Sequence, residues 1–296
     1  MRVVIAPNAF KECMSAPAAA HAMAYGVRRA SPTLEIIEVP LADGGDGTME
    51  ALVSARQGRL VEMTAHDPLM RPVPVRYGLI DRDKTAVIEM AVASGLWRLQ
   101  EKEKNPLYTT TYGTGEMIRD ALDRGVNTLI VGIGGSATTD AGIGMAAALG
   151  FRLRDRHGNE IKPVGGALAS LASIDSSKVH PRLGQVKMRV ASDVTNPLLG
   201  PHGAAPVYGP QKGATPDMVL ELERGLAHVA RCWETDLGVK IGDRPGGGAA
   251  GGLGAGLVAF CGAEIRSGFD LIADYAGLDD ALRGASLVLT GEGKID

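Results

Sequence analysis

The chain has 296 residues, 45% of them hydrophobic, with a formal net charge of −3. That much apolar sequence supports two packed domains, while the acidic balance lacks the positive field that a nucleic-acid-binding surface needs. Cys13, Cys232 and Cys261 show no Cys-x-x-Cys spacing, which argues against a disulfide frame or zinc site and for a cytoplasmic protein. No apolar run is long enough for a signal h-region or a membrane span.

In chain order, residues 3–6 are a continuous apolar run stopped by Pro7, which reads as a buried parallel strand. Ser15 caps a helix reaching about Arg29, and residues 34–39 give a second strand. The run from Val39 through Thr48 (VPLADGGDGT) then sets Asp43 and Asp46 among glycines ahead of a helical pattern. Such a loop lets backbone approach a ligand at the carboxyl end of a strand. From residue 60 the pattern changes to short β segments at 59–64, 73–80 and 85–90, and we place a domain junction there. A helix at 114–123, a strand at 128–133, an Ala- and Gly-rich helix at 141–149 and a strand ending at 189–191 follow. Thr215 and Pro216 open a helix with Met218, Leu222, Leu226, Val229 and Trp233 at helical spacing. Residues 286–290 (SLVLT) form a last strand, and GEGKID after it reads as a strand-to-helix loop with no helix. The expectation is that this strand returns to the N-terminal sheet and that the natural protein continues beyond Asp296.

The other glycine loops divide by what they could hold. Residues 133–140 (IGGSATTD) offer the amides of Gly134 and Gly135 and the hydroxyls of Ser136, Thr138 and Thr139, closed by Asp140. This suits a phosphate near a positive helix end, although an isolated Gly-Gly-Ser is as often an ordinary tight turn. In residues 192–200 (SDVTNPLLG), Asp193 and Asn196 are hard oxygen donors suited to Mg²⁺, or members of an Asx turn before proline. Lys212, in GPQKG, either neutralises a phosphate or is a solvated surface charge. Residues 246–251 (GGGAAG) match G-x-G-x-x-G with Asp270 at an acceptable distance, but only residues 239–241 could be the preceding strand. A packed glycine loop is the preferred reading there, and a nicotinamide-dependent hydroxy-acid oxidoreductase the alternative. Walker A, protein-kinase, G-x-S-x-G and H-E-x-x-H strings do not occur. What remains is Asp, Gly, Ser/Thr and a few Lys at β-to-α junctions, the inventory of phosphoryl transfer by positioning and charge neutralisation.

IAPNAFK (5–11), ADGGDGT (42–48), NPLYTTTYGTG (105–115), GIGGSATTD (132–140), DVTNPL (193–198), GPQKG (209–213), AAGGLG (249–254) and TGEGKID (290–296) together resemble the bacterial glycerate kinase family from end to end. The resemblance implies ATP- and Mg²⁺-dependent phosphorylation of D-glycerate to phosphoglycerate, the 2-phosphate favoured, with release of ADP. It also implies an α/β fold of two α/β domains. One is Rossmann-like with a parallel sheet, placed at 1–60 plus 282–296, and the other is an inserted mixed α/β domain at 61–281. Lys11, with the start of the helix after Ser15, is then the carboxylate site, and Asp43 or Asp46 the base. Gly134, Gly135, Ser136, Thr138, Lys212 and Glu292 would hold the nucleotide, and Asp193, Asn196 and Asp296 the metal. Asn8 departs from the Asp usual in the family, and members continue past the position of Asp296. A catalytically silent ligand-binding fragment is the remaining alternative. Oligomeric state is not legible.

Overall fold

The computed structural model describes residues 1–10 and 13–293, so Lys11 and Asp296 lie outside the described residues. The first half contains β1 (Arg2–Ile5), α1 (Ala16–Ala30), β2 (Glu35–Glu38), α2 (Thr48–Ala55), β3 (Arg59–His66), β4 (Pro72–Ile80), β5 (Thr85–Glu89), α3 (Ala91–Ser94), α4 (Tyr112–Asp123), β6 (Thr128–Gly132) and α5 (Ile143–Ala148). The second contains β7 (Arg152–Arg154), β8 (Ser173–Asp175), β9 (Lys187–Ala191), α6 (Ala204–Tyr208), α7 (Pro216–Cys232), α8 (Leu253–Cys261), β10 (Glu264–Arg266), α9 (Gly268–Ala276), α10 (Leu278–Leu282) and β11 (Leu287–Leu289).

A small parallel sheet has the order β11-β1-β2, with Val4 opposite Val288 on one side and Ile37 on the other. The last strand therefore does return to β1. Successive side chains of a strand face opposite ways, and β1 uses both faces: Val3 and Ile5 pack on Ala20 and Ala24 of α1, while Val4 and Ala6 pack with Val39, Leu41 and Ala281. Helix α1 starts where Ser15 Oγ accepts the Ala18 N–H, and its buried stripe of alanines lets it lie close to the sheet.

The larger sheet has the order β10-β9-β6-β5-β4-β3, parallel from β10 to β5 and antiparallel beyond. Its central strands also alternate. Ala86, Ile88, Leu129, Val131, Met188 and Val190 join the core shared with α4, α5, α7 and α8, whereas Val87, Ile130 and Ala191 face Met49 and Leu52 of α2 and Leu271 and Ile272 of α9. At about 1.5–3 kcal/mol for each fully buried large aliphatic side chain, these two layers fix the sheet between its helices. Helix α2 thus packs on the larger sheet although it precedes the junction expected near residue 60. We propose a division in which β1, β2 and β11 form the small body and α2 and α9 lie over the large one.

Several local expectations shift. Residues 239–241 form no strand: α7 runs on through a π turn at Trp233–Leu237, Gly238 ends it, and turns fill the stretch before Ala249. Without a strand before Gly246, the G-x-G-x-x-G match loses its dinucleotide-binding context. Helix α8 went unread because its residues are almost all apolar and buried on all sides, leaving no period to detect. The short strands β7, β8 and β10 were missed for lack of length.

Candidate active site

The loops that follow β1, β2, β6 and β9 leave the carboxyl ends of parallel strands and meet in one cavity of ≈ 640 Å³. This is where open α/β sheets place ligands. Asn8, Asp43 to Asp46, Ile133 to Ser136 and Ala191 to Val194 line it, with Tyr208 at the end of α6, Gln211 and Lys212 just after it, and the Ala249–Ala250 turn closing it. Asp43, Ser136, Asp193 and Lys212, far apart in sequence, therefore share one space. Glycine makes the convergence possible. Gly44 has φ +89, and a Cβ there would lie 2.7 Å from the Ala191 carbonyl oxygen; a Cβ on Gly132 would lie 2.6 Å from the Gly44 oxygen. The aspartate turn is thus seated directly on the ends of β6 and β9.

Lys212 dominates the electrostatics. It is 1% exposed, and its Nζ donates to Ser136 Oγ (2.8 Å) and to the Thr138 carbonyl (2.5 Å). Burial pushes its amine down to about 7, against the opposing pull of the Asp140 charge. Among the described residues no carboxylate lies within ion-pair distance of it. A buried cation facing a cavity without a counter-ion favours an anionic ligand. Across the cavity Asp193 Oδ1 accepts from Ser267 Oγ and the Gly268 N–H, both 2.9 Å, at the start of α9. Asp43 Oδ1 accepts the Gly45 N–H (3.0 Å), and Asn8 Oδ1 accepts the Ala9 N–H (2.7 Å).

Other expected residues lie elsewhere. Asp140 is fully buried, and its carboxylate accepts from the Thr111 N–H and hydroxyl and from the N–H groups of Gly142 and Gly144. It ties the start of α5 to the residues before α4, so its carboxylate is spent on the scaffold instead of on a phosphate or metal. Thr138 contributes its carbonyl to Lys212, while its hydroxyl is buried without a partner. Asn196 has both ends engaged, Nδ2 on the His202 carbonyl and Oδ1 on the Tyr208 hydroxyl (2.7 Å). It orients the cavity-lining Tyr208 and does not itself line the cavity. Glu292 is exposed and does not line the cavity. The roles expected for Lys11 and Asp296 fall outside the described residues. A second depression of ≈ 540 Å³ is lined by Arg56, Arg59 and Arg82, and Asp81 and Asp83 pair the first two at 2.6 Å each.

One residue beside the site escaped the sequence reading. Glu89, at the carboxyl end of β5, is 8% exposed and accepts the Met49 N–H through Oε1 at 2.8 Å. Burial first, and then the charges of Asp46 and Glu50, push its carboxyl up to about 7. Its only signal was a glutamate ending an otherwise apolar strand (TAVIEM).

A sequence profile described as the glycerate kinase family matches residues 3–296. The glycerate kinase of Halalkalibacterium halodurans is 50% identical over 294 residues, covering 99% of this chain and 77% of the relative. The glycerate 2-kinase of Escherichia coli K12 is 47% identical over 296 residues, covering 100% and 78%. A crystal structure named for glycerate kinase 2 of Salmonella typhimurium LT2 superimposes with a TM-score of 0.97 at 50% identity, over 100% of this chain and 79% of that one.

Proposed function

The chain belongs to the glycerate kinase family, and from that premise we propose that it transfers the γ-phosphoryl group of ATP to a hydroxyl of D-glycerate, giving 2-phosphoglycerate and ADP in the cytoplasm. The observation that carries this reading is the single cavity with Asp43, Asp46 and Asp193 on its walls and the buried Lys212 beside Ser136, which pairs with no carboxylate among the described residues. Phosphoryl transfer passes through a loose transition state, so the protein acts mainly by holding reactants in line and compensating charge. Lys212 and Ser136, with the backbone of Gly134 and Gly135, face the phosphates. Asp43 accepts the proton of the attacking hydroxyl, with Asp46 beside it in the same turn, and Lys11 and the start of α1 receive the glycerate carboxylate.

The carboxylates fit Mg²⁺. This ion keeps several waters and needs only one or two protein carboxylates beside the phosphate oxygens, and Asp43, Asp46 and Asp193 line the cavity. Asp193 is the ligand we assign. When bound, the ion neutralises charge on the transferring phosphate.

The test is ADP release from ATP on addition of D-glycerate, with ³¹P NMR of the product to separate the 2- from the 3-phosphate. Glycerate binding without ADP release would overturn the reading. A 3-phosphate product would overturn only its regiochemistry.

A further inference from the structure

Glu89 is buried, carries no basic partner among the ion pairs of the described residues, and has no part in the mechanism above. Its surroundings are specific. Glu89 pairs with Gly132 across β5 and β6, and Gly132 is the residue on which the Gly44 carbonyl rests. From there its carboxyl reaches the first turn of α2, the helix that begins two residues after Asp46, and holds the Met49 N–H. That helix has no side-chain cap: its N-cap is Gly47 in the left-handed region, and the Thr48 hydroxyl is buried without a partner. Helix starts leave N–H groups that need acceptors, and here the acceptor comes from another strand. Asp46 Oδ1 lies 3.6 Å from where a Cβ on Gly135 would stand, beside the turn that carries Ser136.

We propose that Glu89 is a positioning residue for the phosphoryl transfer: by clamping the start of α2 onto the end of β5, it fixes Asp46 against the Gly134–Ser136 turn. The inference rests on the reading of the cavity given above. Because the clamp works by reach and by accepting backbone N–H groups at the start of α2, it makes an ordering of variants that a purely electrostatic role reverses. Glu89→Gln keeps both the length and an accepting oxygen. Glu89→Asp keeps the carboxyl but withdraws it by one methylene. The charged groups acting on Glu89 are Asp46 and Glu50 from the turn and helix it holds, so a charge-based role would be felt most in the Gln variant.

The experiment is steady-state kinetics on the full chain with ATP, Mg²⁺ and D-glycerate for Glu89→Gln, Glu89→Asp, Asp46→Asn and the Glu89→Asp/Asp46→Asn double variant, with thermal midpoints recorded for each. Glu89→Gln is expected within about threefold of wild-type kcat. Glu89→Asp should fall about tenfold or more with KM for both substrates changed less than about twofold, and in the Asp46→Asn background it should cost nothing further, because residues that act as a unit are not additive. Equal losses from Glu89→Asp in both backgrounds, or a Gln variant slower than the Asp variant, would overturn the inference while leaving the site reading intact. An Asp46→Asn variant with unchanged kcat would show that the transfer does not depend on Asp46, and would overturn the clamp with it.

Discussion

Replacing Lys212 by methionine should move stability and activity in opposite directions. The buried amine titrates near 7 against 10.5 in the unfolded chain, which at 1.36 kcal/mol per pH unit is a cost of roughly 4–5 kcal/mol to the folded protein at its upper limit. The sign follows from proton counts: the unfolded chain binds more protons between about pH 7 and 10.5, so stability rises with pH across that window, and below pH 7 the full cost is present. Methionine has similar length and removes the charge, but it leaves Ser136 Oγ and the Thr138 carbonyl without their donor, a loss of about 1–3 kcal/mol. The net expectation is a gain of about 1–4 kcal/mol at pH 7, a melting temperature several degrees higher, and no rise in stability from pH 7 to 9.5. Activity should fall. A unit charge about 4 Å from a phosphate oxygen is worth about 4 kcal/mol at an effective dielectric of about 20, so kcat/KM should drop by about 10²–10³. Calorimetric or fluorescence melts at several pH values, beside coupled ADP assays, measure both halves. A Lys212→Met protein that melts lower at pH 7 yet keeps its kcat/KM would refute the picture of a buried cation that serves an anionic ligand.

Asp43→Asn should lower kcat by about 10²–10⁴, the range for loss of a general base, and near-wild-type turnover with unchanged KM would remove Asp43 from that role. Gly44→Ala should destabilise by about 2–3 kcal/mol, since φ is +89 and the new methyl meets the Ala191 carbonyl oxygen at 2.7 Å; urea midpoints report it, and an unshifted midpoint would show that the turn is not seated on β9. Asp140→Ala should cost about 3 kcal/mol or more by stranding the buried N–H groups of Thr111, Gly142 and Gly144. In whatever protein folds, KM for nucleotide should stay close to wild type. A large rise in KM in a well-folded Asp140→Ala protein would return Asp140 to the site.

The fold was legible where burial is one-sided or strictly alternating. Val3 to Ala6 read as a strand because it is apolar without interruption, and α7 read as a helix because Leu222, Leu226 and Val229 repeat on one buried face. Legibility failed where burial carries no period, as in α8, and where an element is held mainly by its neighbours, as β10 is by parallel pairing to β9. The packing of α2 was also out of reach. Nothing local in TMEALVSA says which of two sheets Met49 and Leu52 will cover, because both offer an apolar face.

At the site, residue type announced chemistry, but only the backbone decided which groups face the cavity. Ser136 and Asp140 stand four positions apart in one loop of glycine, hydroxyls and acid, and the sequence treats them alike. In the fold Ser136 meets Lys212 on the cavity wall, whereas Asp140 turns inward to gather N–H groups at the start of α5. Lys212 shows the same ambiguity in reverse: a lysine between turn residues is most often solvated, and it becomes a buried cation only because α6 and the loop after β6 close over it. Both outcomes follow from one requirement. A buried charge must meet either enough partners or a ligand; Asp140 has its donors inside the protein, and Lys212 meets two neutral acceptors and, among the described residues, no carboxylate.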